Sequence, residues 1–205
     1  MNVSLNHRFW SYCYDIDELL AGCNNFETFV KRLIKQSIKP THKHKWDPDT
    51  YKGEGFEAFI EFWFKASSLD NRIGIVNYEP ASQSGLSDNG VDGYGVGING
   101  NPATVQCKFR SDPNYTLTAN ADHLTNFLGE SLIKFNVRQD DTLNMLIVHT
   151  GKGLHHHTRD EMLHGKVREL ARKDICNLVN FQAFWDSFRL TVDSYLANQG
   201  RQTVF

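Results

Sequence analysis

The stretch "ATVQCKFR", Ala103 to Arg110, decides how this chain folds. Val105, Cys107 and Phe109 alternate with Thr104, Gln106, Lys108 and Arg110, and strict alternation of this kind marks a β-strand with one face in a core. The other face then carries an amide, an ammonium and a guanidinium in a row. A strand does this where its outer face is solvated, or where it forms the floor of an active site. Just upstream, "NGNP" (Asn99–Pro102) is a strong turn signal, and "GVDGYGVGI" (90–98) before it is strand-like. The two strands therefore read as a hairpin.

Outward from the hairpin, "RIGIVNYE" (72–79) reads as a further strand. Before it, "GEGFEAFIEFWFKAS" (53–67) forms a helix whose apolar residues Phe56, Phe59, Ile60, Phe62, Trp63 and Phe64 surround most of its circumference, which suits burial against a sheet. The polar, Pro-containing "KPTHKHKWDPDTYKG" (39–53) is a connection. "DIDELLAG" is a short helix, and "NNFETFVKRLIKQSI" is a longer one with Asn25 as N-cap and Phe26, Phe29, Val30, Leu33 and Ile34 on one stripe. Downstream, the pattern predicts a helix from about Ala119 to Ile133, a strand "LNMLIVHT" (143–150) and a charged helix from about Thr158 to Lys173. A short strand "ICNLVN" (175–180) and a closing helix "FQAFWDSFRLTVDSYLA" follow, the latter with Phe181, Phe184, Trp185, Phe188 and Leu190 inward. This order of elements points to an α/β fold with a mixed β-sheet flanked by helices.

The 205 residues suit one domain over 51–205, long enough for a real core, preceded by an N-terminal helical extension over 1–50. Fourteen Phe and four Trp argue against disorder. A formal net charge of −2 excludes a generally basic, histone-like binder. A nucleic-acid protein of this balance concentrates its cations locally or neutralises phosphate with metal ions. The four cysteines at 13, 23, 107 and 176 form no CxxC pair and have no zinc-finger histidines, so neither structural zinc nor a disulfide framework is expected. With no signal peptide and no apolar run approaching a membrane span, the expected setting is cytoplasmic and reducing, away from membranes.

Asp92 lies on the first strand of the hairpin, fourteen positions before Gln106. Gln106 and Lys108 are two apart and share a face, and the hairpin brings both near Asp92. Cys107 points to the apolar face, but its backbone carbonyl stays near the polar groups. Carboxylate, amide and carbonyl oxygens are hard ligands that suit Mg²⁺ or Mn²⁺. A lysine beside them can orient an attacking water or offset charge on a phosphate. Glu57 in "GFEAF" is the natural second carboxylate, with Glu54 and Glu61 as substitutes on nearby turns.

Together, "GFEAF…SDNGVDGYG…VQCKF" resembles the PD-(D/E)XK nuclease superfamily, and most closely its Mrr-type restriction endonuclease branch. There a helix bearing an "FE" pair precedes a turn of the form D-x-G-[IV]-D and a strand with Q-x-K. Here these are Phe56-Glu57, Asp88 to Asp92, and Gln106 to Lys108, and the similarity extends over roughly residues 50–190. The resemblance implies a restriction-endonuclease-like fold and makes Asp92 the principal metal ligand, Glu57 the helical carboxylate and Lys108 the catalytic lysine. Gln106 stands where most of the superfamily has an acid; a neutral ligand weakens metal binding, although glutamine is usual in the Mrr-like branch. Asp88 would support the turn.

Other residues fit around this site. Arg110 continues the polar face and is the cation expected to hold a phosphate near the metal. The run His155, His156, His157 cannot converge on one ion from a regular element, so it reads as an exposed loop, with Arg159 beside it as a contact for DNA phosphate. "HTGKG" lacks the spacing of a phosphate-binding loop. "THKHK" (41–45) is a solvated connection. The expected function is a Mg²⁺- or Mn²⁺-dependent DNA endonuclease, acting alone, as a homodimer, or within a larger nuclease–helicase assembly. The alternatives are a junction resolvase and a DNA-binding or assembly module that keeps the fold without turnover.

Overall fold

A computed structural model of the chain describes residues 3–13, 15–39, 46–67, 73–81, 90–138, 144–162, 164 and 166–202. Asp88 and the segment 41–45 lie outside the described residues. The chain is an α/β protein with a mixed five-stranded sheet flanked by helices.

The expected hairpin forms from β2 (Gly93–Gly97) and β3 (Pro102–Lys108), paired antiparallel with Gly93 opposite Val105. The strand β1 (Ile75–Pro80) joins the outer edge of β2, its register broken between Val76 and Glu79, where Asn77 has φ 54°. On its other side β3 pairs parallel with β5 (Met145–His149), from Thr104 opposite Met145 to Lys108 opposite His149. The strand β7 (Arg168–Leu170) completes the order β1-β2-β3-β5-β7, also parallel. A separate two-stranded parallel pair, β4 (Thr116–Leu117) and β6 (Gly153–Leu154), lies beside it.

Because β3 is central, both of its faces are covered, and from Ala103 to Cys107 every residue is buried. Ala103, Val105 and Cys107 pack with Leu146 and Val148 into the larger core. That core is built on α4 (Pro48–Ala66), with α1 (Phe9–Tyr12), α2 (Ile16–Leu20), α3 (Phe26–Ser37), α6 (Arg172–Val179) and α7 (Gln182–Gln202) around it. Phe59 of α4 meets the rings of Phe26, Phe29, Trp63, Phe184, Trp185 and Phe188. The N-terminal helices thus share one core with the sheet. On the opposite face, Met145 and Ile147 join Phe127 and Leu124 of α5 (Leu124–Ile133) in a smaller core. There the β3 hydroxyl of Thr104 lies 2.8 Å from Ser131 Oγ.

The helix α3 starts as expected, with Asn25 accepting from Thr28 N at 2.8 Å. By contrast, α4 begins well before Gly53: Asp47 accepts from Asp49 N and Thr50 N, and Pro48 occupies the first turn, so part of the expected connection is helix. Two further expectations fail between 158 and 180. The charged helix is instead a π-helical turn (Thr158–Met162) followed by β7, a three-residue, half-buried strand at the sheet edge, where charged residues are favoured. The expected strand 175–180 is part of α6, which buries Ile175 and Val179 at helical i, i+4 spacing. In α7, Phe184, Trp185 and Phe188 are buried as expected, but Leu190 and, just before the helix, Phe181 are exposed, and Val192 takes the inward place.

Phe59 sits at the centre of these rings, so Phe59→Ala is expected to cost about 3–5 kcal/mol by creating a cavity. Chemical denaturation measures this, and a loss near zero would show that α4 is not the hub of the core.

Candidate active site

A cleft of about 430 Å³ opens where β3 ends, lined by Asp49, Lys52, Gly53 and Glu57 of α4, by Asp92, and by Cys107 to Ser111. Asp92 is locked into place by the end of the hairpin. Its backbone N donates to Val105 O and its carbonyl accepts from Ala81 N, both at 2.9 Å. Its side-chain Oδ2 accepts from Cys107 N at 2.6 Å. The next residue, Gly93, has to be glycine, because a Cβ there would fall 2.2 Å from the Tyr78 hydroxyl that crosses it.

Parallel pairing also aims a backbone oxygen into the cleft. Thr104 N donates to Asn144 O and Lys108 O accepts from Thr150 N, so the even-numbered residues of β3 turn their backbone groups to β5. The odd-numbered ones turn theirs to β2, and N–H and C=O of one strand residue point the same way. The Cys107 carbonyl therefore faces the same side as its N–H, toward Asp92. The Cys107 side chain contributes no thiolate: burial pushes its pKa well up, and the Asp92 and Glu57 carboxylates push it further.

The three glutamates of α4 part company. Glu61, fully buried, accepts from Asn6 N at 2.6 Å, His7 N at 3.0 Å, Trp10 Nε1 at 3.3 Å and Lys65 Nζ at 3.0 Å. Glu54 takes the Arg8 guanidinium through two hydrogen bonds. Both carboxylates bind the N-terminal segment, and only Glu57 of the three borders the cleft.

That segment delivers a residue which sequence reading did not single out. His7 Nε2 lies 3.2 Å from Glu57 Oε2, while its Nδ1 accepts from Phe9 N at 3.2 Å. With Nδ1 the acceptor, Nε2 carries the proton and donates to Glu57, which fixes the orientation of the carboxylate. Burial of the ring lowers the His7 pKa, outweighing the Glu54, Glu61 and Asp92 carboxylates that pull it up. No local pattern marks His7, because its partner is fifty residues away.

Lys108 borders the cleft and, among the described residues, its ammonium makes no hydrogen bond or ion pair. Lys52, also unanticipated, lines the cleft 2.7 Å from Asp49 and 6.0 Å from the Phe109 ring centroid. Arg110 lines it too, but its guanidinium is held by the buried Asp122 and lies over the Tyr115 ring. Gln106 does not line this cleft: it opens on an adjoining pocket beside α5, which Lys108 also borders. Arg159 lines neither and pairs with Glu169, which also accepts from His149 Nε2 at 2.9 Å. His155, His156 and His157 are exposed.

Among the described residues, no group of three or more His, Cys, Asp or Glu side chains is placed to hold a metal ion. The carboxylates lining the cleft are Asp49, which Lys52 meets, Glu57 and Asp92, with the Cys107 carbonyl beside them. Among the same residues no helix is long and apolar enough to cross a membrane. Comparison of the chain with protein-family profiles, curated sequences and solved structures finds no match.

The sign of the His7 effect is fixed by its environment. The folded state resists protonation, so below the ordinary histidine value of 6.5 the unfolded chain binds the proton more readily and stability falls as pH falls. NMR titration is expected to place the His7 midpoint below 6.5, with His7→Gln removing that part of the pH dependence. A midpoint above 6.5 would contradict the assigned tautomer and its neutral state.

Proposed function

We propose that this chain is a divalent-metal-dependent DNA endonuclease that hydrolyses phosphodiester bonds on a restriction-endonuclease-like fold. One observation carries the reading: Asp92, Glu57, Lys108 and the backbone of Cys107 converge on one cleft at the end of the hairpin. Three of the residues shared with the PD-(D/E)XK pattern, Glu57, Asp92 and Lys108, thus border a single cleft, while Gln106 opens on the adjoining pocket.

The donor set fits Mg²⁺ or Mn²⁺, which are held by one or two carboxylates and complete their coordination with water and substrate phosphate. Asp92, Glu57 and the Cys107 carbonyl would hold the ion. When bound, such an ion polarises the scissile phosphate and lowers the pKa of an attacking water. It also resolves the electrostatics. Of the cations lining the cleft, Lys52 faces Asp49 and Arg110 is taken by Asp122, which leaves Lys108 against two carboxylates where a phosphate must enter. The chain's own residues do the rest. His7 holds Glu57 in one orientation, the Cys107 amide holds Asp92, and Lys108 donates to the attacking water or to a phosphate oxygen.

The test incubates the protein with supercoiled plasmid, linear duplex, single strands and a four-way junction, each with Mg²⁺, Mn²⁺ or EDTA. Metal-dependent cleavage is expected, lowered at least about a hundredfold in Asp92→Ala and in Lys108→Ala with the fold retained. Preference for the junction would make the enzyme a resolvase. DNA held but never cut would turn the reading into a binding module. Undiminished cutting by either variant, or neither binding nor cutting, would overturn it.

A further inference from the structure

Gln106 is the most unusual residue of the sheet. Its side chain is fully buried, yet among the described residues neither its Oε1 nor its Nε2 has a hydrogen-bond partner. A buried amide left unpaired costs about 1–3 kcal/mol, so such groups call for an explanation. The amide borders an open pocket of about 580 Å³, shared with Gly90, Lys108, His123, Thr125 and Asn126.

That pocket is rich in donors. It runs along α5 from the first turn to Ile133, and no side chain caps this ten-residue helix, because His123 at its N-cap position has left-handed backbone angles and makes no capping bond. Leu124 N donates to Ala119 O at 2.9 Å, so of the first amides, which have no partners within a helix, those of Thr125 and Asn126 are the ones to offer, and the helix dipole adds positive potential there. Gly90 lets the approach stay open. It has φ +95°, and a Cβ on it would press to 3.2 Å from Phe127 N. The one carboxylate lining the pocket, Glu130, lies 2.8 Å from Lys134. Helix amides, an unpartnered side-chain amide and an unpaired ammonium suit an oxyanion.

We propose that this pocket is a second phosphate subsite. In it the Gln106 amide, the first turn of α5 and Lys108 hold a phosphodiester oxygen of the strand whose neighbouring phosphate enters the Asp92 cleft. The inference rests on the nuclease reading for the identity of the anion. Lys108 borders both clefts and stands between the two phosphates. Gln106 then serves as a donor to the substrate backbone, in place of the metal-ligand role expected from the sequence.

The experiment uses the full chain without divalent metal, in EDTA, titrated with inorganic phosphate and with a thymidine dinucleotide. The readout is the NMR shifts of the Thr125 and Asn126 amides and of the Gln106 side-chain amide. All three are expected to shift together and saturably, in the wild type and in Asp92→Ala alike. Gln106→Glu changes charge at constant shape, and its amide spectrum verifies folding. It is expected to weaken phosphate at least tenfold and to leave Mn²⁺ affinity, measured by calorimetry, unchanged. Tighter Mn²⁺ binding by Gln106→Glu, or phosphate that leaves the α5 amides unmoved, would overturn the proposal. The two readings can fail separately. Phosphate bound at α5 by a protein that cuts nothing keeps the oxyanion subsite and removes the nuclease; cleavage with no anion at α5 does the reverse.

Discussion

A carboxylate can be buried in a protein interior only if donors surround it, and the fully buried Glu61 of α4 imposes that constraint on the molecule. Its donors come from the N-terminal segment, through the amides of Asn6 and His7 and the indole of Trp10, and from Lys65 one turn along the helix. Once that segment is docked, Arg8 meets Glu54 and the His7 ring lies against Glu57. The acid that borders the cleft is therefore oriented by acids that do not. Remove the donors and α4 carries a buried charge with no compensation, while Glu57 loses the group that aims it.

The second organising fact is that β3 is covered on both sides. Its apolar residues face α4 and its polar residues face α5, so the polar face is neither a solvated surface nor a single catalytic floor. Thr104 settles its hydroxyl against Ser131, while Gln106 does not settle its amide at all. Lys108, at the strand end, stands where the two sides meet. One strand thus divides its functional groups between two neighbouring clefts, with the carbonyl of Cys107 in the sheet plane serving one and the amide of Gln106 serving the other.

What could be seen in the sequence follows the range of the forces. The hairpin, the Asn25 cap and the ring-lined α4 were legible because turn chemistry, capping and periodicity act over a few residues. So was the meeting of Asp92, Lys108 and Glu57, since a hairpin places the first two and the buried helix faces them. The segment 168–179 was not legible. Arg168-Glu169-Leu170 has no strand pattern of its own and is a strand only because β5 offers it an edge. In "ICNLV" the apolar residues are close enough to mimic a strand, although Ile175 and Val179 lie one helical turn apart. Alternation told which way Gln106 points, but not that α5 would bring its first turn to that side. Arg110 looked free because nothing local shows that the buried Asp122 would claim it.

The long reach between His7 and Glu57 has a consequence for how the protein comes to exist. Asp92, Cys107 and Lys108 sit in a hairpin that can close soon after it leaves the ribosome, since local pairing costs little chain entropy. His7 emerges long before Glu57, its partner fifty residues later, and must then find the finished surface of α4. The parallel pairing of β3 with β5 also waits for the α5 crossover to be made. The hairpin part of the cleft therefore needs only local pairing, whereas the oriented Glu57 depends on the docking of a segment fifty residues away.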